Sequence, residues 1–257
     1  MKIKRILYIL PLVVTIMLLM GACVNEAQEE IDDKSYPLDV KVTTFNFSKT
    51  LGSRATTGLV TNLTTGDKIG LIALNGNVSV YDNIPLTLGA DGKWTVDASS
   101  GIKLYYYPKV YYFVYYPYNV LMDGKTSAET IKNTFTVPLD QTSSTNYTLS
   151  DLMISAPIKA VKGQTMNFEL SHKLSLVQIS VKNDKGAEVT SLNMQAKVGA
   201  DIYSPLSIGG GAYQFLTKDA ASINMSVTFE VAGKTYQCDK KGVNLPQGKY
   251  YSFTVVQ

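Results

Sequence analysis

Few side chains in this sequence could do covalent or acid–base chemistry, and they are scattered. His172 is the only histidine, and Cys23 and Cys238 are the only cysteines. A serine–histidine–aspartate relay would have to use His172. Around it, Met166, Phe168, Leu170, His172 and Leu174 alternate onto one strand face. A hydrogen-bonded histidine at the core edge of a strand fits this pattern better than a catalytic base. Zinc needs several histidine, cysteine or carboxylate ligands at close spacing, and no such spacing occurs. Gly209-Gly-Gly211 lacks the following helix and lysine of a phosphate loop. No motif marks a pair of carboxylates for glycoside hydrolysis. The chain reads as a non-enzyme with no catalytic residue, metal site or cofactor.

Two other positions invite chemistry done to the chain. Lys2, Lys4 and Arg5 make a basic head, Ile6 to Met20 is uncharged and almost wholly apolar, and Gly21 and Ala22 precede Cys23. This pattern is a secretory signal over residues 1–22, shorter than the roughly 20 apolar residues of a membrane span. Leu18-Leu-Met-Gly-Ala-Cys23 resembles a bacterial lipobox, with Met20 where leucine is preferred. Cys23 is then the lipidation site, handled by the lipoprotein processing machinery and held to the outer membrane by its lipid. The alternative is an ordinary signal that happens to contain a cysteine. Residues 23–37 form an acidic tether expected to be disordered; an acidic stretch after the lipid cysteine resembles the surface-export signal of some outer-membrane lipoproteins. Arg54 is the only arginine beyond the signal. It lies in Leu51-Gly-Ser-Arg-Ala-Thr-Thr-Gly58, a polar stretch expected to be an exposed loop and a tryptic-type cleavage site.

Composition narrows the partners. The signal holds three of the 24 basic residues and none of the 21 acidic ones, so the remaining chain is formally neutral. A neutral chain with one arginine does not suit nucleic acid, which demands clustered positive charge. With Cys23 acylated, Cys238 has no partner for an internal disulfide.

The elements that must position these residues read as β throughout. Short runs rich in Val, Ile, Tyr and Thr alternate with Gly, Asn, Asp and Pro turns. They are expected at 38–47, 68–74, 78–81, 94–96, 104–107, 110–116, 134–137, 149–154, 165–170, 174–182, 192–198, 212–216, 223–231, 235–238 and 249–256. Asn75-Gly76 and Asp91-Gly92 are expected to close hairpins. No segment holds a long helical period. Strands at this spacing suggest an all-β chain of β-sandwiches. A boundary near Ala156–Gly163 divides it into an N-terminal domain at 38–156 and a C-terminal domain at 157–257.

Residues 105–118 hold eight of the chain's 17 tyrosines, a density that demands an account. One reading is an aromatic platform for sugar or protein built from Tyr105, Tyr107, Tyr112, Tyr116 and Tyr118. The other is two neighbouring strands with tyrosines on both faces, since tyrosine favours strands.

Several motifs occur in a telling order: Ser53-Arg-Ala-Thr-Thr57, Gly66-Asp-Lys-Ile-Gly-Leu71, Lys93-Trp94, Ile102-Lys-Leu-Tyr-Tyr-Tyr-Pro108 and Val114-Tyr-Tyr-Pro117. Asp151-Leu-Met153, Phe168-Glu-Leu-Ser-His-Lys-Leu-Ser175 and Pro246-Gln-Gly-Lys-Tyr-Tyr-Ser-Phe-Thr254 follow. Together they resemble the fimbrillin family of type V pili over residues 38–257. The resemblance implies two transthyretin-like β-sandwich domains in tandem after a lipoprotein signal peptide. It also implies cleavage between Arg54 and Ala55 by a trypsin-like, arginine-specific protease. Residues 38–54 then form a removable first strand and cleavage loop, and a strand of another pilin subunit fills the groove. Some members serve instead as uncleaved anchors or as tip subunits.

Elementary energetics agrees with a removable strand. Leu38, Val40 and Val42 alternate, and Phe45 and Phe47 continue after a one-residue shift that suggests a bulge. At about 1.5–3 kcal/mol per buried side chain, five residues represent roughly 8–15 kcal/mol as an upper estimate. A groove emptied of them would aggregate or take up another strand. The last strand ends almost at Gln257, leaving no spare apolar donor, so the chain is expected to accept a strand and not to donate one. That suits a tip or other terminal subunit of a cell-surface pilus. The rival is a non-polymerising surface lipoprotein, either a pilus anchor or a glycan binder using the tyrosines.

Overall fold

Seventeen strands carry the chain in a computed structural model that describes residues 36–49 and 61–257, apart from the side chains of Ser48 and Lys49. The first nine are β1 (Val40–Thr44), β2 (Ser48–Lys49), β3 (Lys68–Asn75), β4 (Val78–Leu88), β5 (Trp94–Val96), β6 (Tyr111–Tyr116), β7 (Met153–Ser155), β8 (Ile158–Lys159) and β9 (Met166–His172). The rest are β10 (Ser175–Lys182), β11 (Leu192–Val198), β12 (Asp201–Tyr203), β13 (Leu206–Gly209), β14 (Ala212–Thr217), β15 (Ala220–Val231), β16 (Lys234–Leu245) and β17 (Lys249–Val256). They form three sheets: β1-β9-β7-β6-β3-β4-β5 with β8 paired to β6, then β13-β14-β10-β17-β2, then β12-β11-β15-β16. The protein is all-β, as its composition led us to expect.

The hairpins follow their turn residues. Asn75 pairs with Val78 across Gly76, which sits at φ 59°, a value only glycine and a few polar residues take easily. Asp91-Gly92 closes the turn between β4 and β5, where Gly89 N–H donates to Lys93 O at 2.8 Å. Two expected strands are absent. Residues 104–107 make only a bridge from Tyr105 to Pro37, and of residues 134–137 the first ends a helix and the rest pair in no strand. The helices α1 (Ala128–Thr134) and α2 (Ser144–Leu149) were not foreseen. Each is too short for an apolar period to declare itself, yet each starts at a serine N-cap, Ser127 and Ser143, whose side chain accepts an N–H from the first turn.

The first sheet is covered on both faces. Ile69, Leu71, Tyr112, Val114 and Tyr116 face one apolar cluster with Trp94, Phe168 and Leu170. Ile72, Phe113, Tyr115, Leu152 and Ile154 face another, continuous with the apolar residues of the second and third sheets. This explains why β3 and β6 read as nearly unbroken apolar runs and not as alternation. The first sheet also runs past residue 157, the expected domain boundary, because β8 and β9 return to pair with β6 and β7. The change of sheet comes after His172, and Tyr36–Gln257 forms one compact unit.

Candidate functional site

The N-terminal segment is the edge of two sheets. β1 runs parallel to β9 in the register Val40↔Met166 through Thr44↔Leu170. Leu38 N–H donates to Leu104 O at 3.0 Å, Met166 N–H donates to Asp39 O at 2.8 Å, and Phe45 N–H donates to Leu170 O at 2.9 Å. The chain then crosses to the second sheet, where β2 runs parallel to the start of β17 through Ser48↔Lys249 and Lys49↔Tyr250. Both strands are outermost in their sheets. An edge strand can leave without interrupting any inner ladder, which no central strand can do.

Its side chains divide between the two apolar clusters. Val40 is buried and Leu38 and Val42 are half-buried against the cluster around Tyr112 and Trp94. Phe47 is buried in the other cluster, while Phe45 is 50% exposed and belongs to neither. Of the five residues expected to be buried, two are buried, two are half-buried and one is exposed. The phase shift after Val42 is not a bulge: β1 ends at Thr44, and the shift marks the crossing between sheets.

Phe47 lies on the only histidine. Its ring centroid is 3.6 Å from that of His172, with 18° between the planes. His172 Nδ1 is 2.8 Å from Asp151 Oδ1, and both side chains are 1% exposed. Thr61 Oγ1–H donates to Asp151 Oδ2. Thr44 Oγ1–H donates to Thr61 O at 3.0 Å. Residues 44–47 and Thr61, the described chain on either side of the expected cleavage loop, thus converge on one buried polar pair. His172 Nε2 is buried with no hydrogen-bond partner among the described residues. The core-edge reading of His172 holds. β9 ends at His172, however, so Leu174 does not share its strand face and packs in the cluster of the second and third sheets.

Two of the five tyrosines expected in a platform are withdrawn from solvent. Tyr112 and Tyr116 are buried in the first sheet, and Tyr105, Tyr107 and Tyr118 are half-buried. They support loops instead: Tyr112 Oη accepts from Tyr107 N–H at 3.1 Å, and Tyr81 Oη accepts from Tyr105 N–H at 2.8 Å while donating to Lys103 O. Burial pushes the Tyr81 hydroxyl up to about 12, and pushes Tyr112, Tyr115 and Tyr116 up as well. Of this cluster Tyr111 is the exposed member, lying under Lys159 Nζ at 4.8 Å.

Other chemistry is sparse. Cys238 is half-buried on β16, and burial raises its thiol. Among the described residues no three histidine, cysteine or acidic side chains gather as a metal site would require. Cys23, Arg54 and Ala55 lie outside the described residues. Sequence reasoning missed Asp151 and Thr61 as the partners of His172. One signal was available: Asp151 interrupts the apolar run Leu149–Ile154, and a carboxylate there needs a buried partner.

A curated relative, a candidate fimbrium tip subunit Fim1C of Bacteroides ovatus, is 31% identical over 145 residues, covering 50% of this chain and 26% of the relative. The chain therefore spans about a quarter of that relative's length. A crystal structure of a fimbrial protein from Bacteroides ovatus superposes with a TM-score of 0.65 at 21% identity, covering 86% of this chain and 50% of the other. A candidate cell adhesion protein from the same species gives 0.61 at 14% identity, covering 86% and 92%. One from Bacteroides uniformis gives 0.54 at 20% identity with the same coverage. These structures share the fold. The sequence model of the fimbrillin-like family matches residues 53–205, more than half of the chain, and the protein belongs to the fimbrillin-like family.

Proposed function

We propose that this chain is a subunit of a surface fimbrium, exported as a lipoprotein on Cys23 and matured by an arginine-specific, trypsin-like cut between Arg54 and Ala55. Residues 38–54 then leave, and a strand of another pilin subunit takes their place in a body of tandem β-sandwich character. The observation that carries this reading is the placement of residues 38–49, an edge of two sheets joined to the rest of the chain through the segment that holds the only arginine beyond residue 22. The relative named as a candidate tip subunit supports a terminal position in the fibre. The burial of Tyr112 and Tyr116 weighs against a glycan-binding surface as the principal role.

Limited trypsin treatment of the exported chain, followed by mixing with itself and with a second pilin, tests it. The first cut falls after Arg54, and the cut chain joins the second pilin in short, capped oligomers that survive mild denaturation. Long homopolymers would refute the terminal role. A cut chain that joins nothing would refute strand replacement.

A further inference from the structure

The aliphatic residues of the N-terminal segment cannot by themselves select a replacement. Leu38, Val40 and Val42 meet the core through non-directional contacts that tolerate swaps of similar volume. A strand slipped by two residues would present the same face. Phe47 differs in both respects. It reaches the other cluster, and it meets a flat partner at a fixed tilt.

That partner is held rigidly. Asp151 Oδ1 orients the imidazole through Nδ1, and Thr61 Oγ1 occupies the other carboxylate oxygen. Thr61 lies C-terminal to the expected cut and Phe47 lies N-terminal to it. After cleavage the histidine, the aspartate and the threonine all stay with the body, and only the covering ring departs. What remains is a flat, oriented imidazole face at the junction between two sheet edges, with Nε2 still lacking a partner among the described residues.

We propose that His172, Asp151 and Thr61 form a seat for one aromatic side chain, and that the incoming strand is recognised by an aromatic residue at the position Phe47 now holds. The inference rests on the strand replacement proposed above and names the chemistry of the partner. It is an extended segment running parallel to β9, with aliphatic residues seven and five positions before the aromatic, as Val40 and Val42 stand before Phe47. The seat fixes the register, and the aliphatic positions supply burial.

The experiment uses the exported chain cut at the loop, with the protease then inhibited, and fluorescent peptides copying residues 36–49. Substitutions are made in the peptide, so the fold of the protein is not in question. The unsubstituted and Phe45→Ala peptides enter equally, because Phe45 is exposed. The Phe47→Leu peptide, similar in volume but not flat, enters about tenfold more weakly, and Phe47→Ala about a hundredfold more weakly. Entry of Phe47→Ala at the unsubstituted level overturns the aromatic seat while leaving strand replacement intact. Failure of every peptide to enter overturns the replacement reading and the seat with it.

Discussion

Phe47 lies flat on His172, with ring centroids 3.6 Å apart, and so joins the first residues of the fold to a histidine 125 positions later. The contact forms where the chain passes from the edge of one sheet to the edge of another. Phe47→Ala in the intact chain costs about 3 kcal/mol, the usual loss for a buried phenylalanine. Phe45→Ala costs under about 1 kcal/mol, because that ring is half in water. Urea denaturation of the two variants measures both. Equal losses would mean that Phe47 is not buried as described.

Asp151 serves two partners at once, His172 and Thr61. Asp151→Ala strands a buried imidazole and frees the start of the chain after the loop, and costs about 2–4 kcal/mol. Thr61→Val costs about 1 kcal/mol alone and almost nothing on the Asp151→Ala background, since the shared hydrogen bond is already gone. A double-mutant cycle by thermal or urea unfolding checks this. Strict additivity would show that the three groups do not act together.

Gly70 sits on β3 where a Cβ would lie 2.1 Å from Tyr115 Cε1 and 2.6 Å from Asn83 Oδ1. Tyr115 Oη donates to Asn83 Oδ1 at 2.6 Å, and Asn83 Nδ2 donates to Asn119 O and Asp123 Oδ1. The ring therefore cannot move without breaking a buried polar network. Gly70→Ala destabilises by about 2 kcal/mol or more, while Gly76→Ala meets no neighbouring atom and costs about 1 kcal/mol, the strain of an alanine at positive φ. Comparison of their unfolding midpoints decides, and a mild Gly70→Ala would mean that Tyr115 has room to yield.

Burial raises the tyrosine hydroxyls of Tyr81, Tyr112, Tyr115 and Tyr116 above their ordinary value near 10, Tyr81 to about 12. In the folded chain they keep protons that the unfolded chain gives up. Their contribution is full below pH 10 and is lost as pH rises through the folded values. Stability therefore falls steeply above pH 10. The tyrosinate absorbance of these four rings therefore appears only above pH 10 and together with unfolding. A single phase near pH 10 in a chain that stays folded would contradict the burial.

The sequence revealed the strands better than it revealed their partners. Leu192–Val198 stands where its alternation puts it and Lys249–Val256 where its Val, Tyr and Thr content does, and Asn75-Gly76 closes the hairpin its chemistry demands. Short helices escaped because six or seven residues cannot display a period, although Ser127 and Ser143 were there as caps. The sheet boundary escaped because a strand carries no mark of its neighbour: Met166–His172 alternates the same way in either sheet. His172 was recognised as a buried, paired residue. Its partners were hidden because only folding brings positions 47, 61 and 151 to it. The tyrosine cluster left a platform and strand faces both open for a related reason, since Tyr112 and Tyr116 look alike in sequence whether they face solvent or core.

The central claim is that residues 38–54 are removed at Arg54 so that another strand can take their place. The N-terminal residue of this protein recovered from assembled surface fibres tests it most directly. The account predicts that the chain begins at Ala55 and that a strand from another subunit lies along β9 where β1 stood. A chain that enters fibres with Arg54 uncut and residues 38–49 still joined to the body would contradict it.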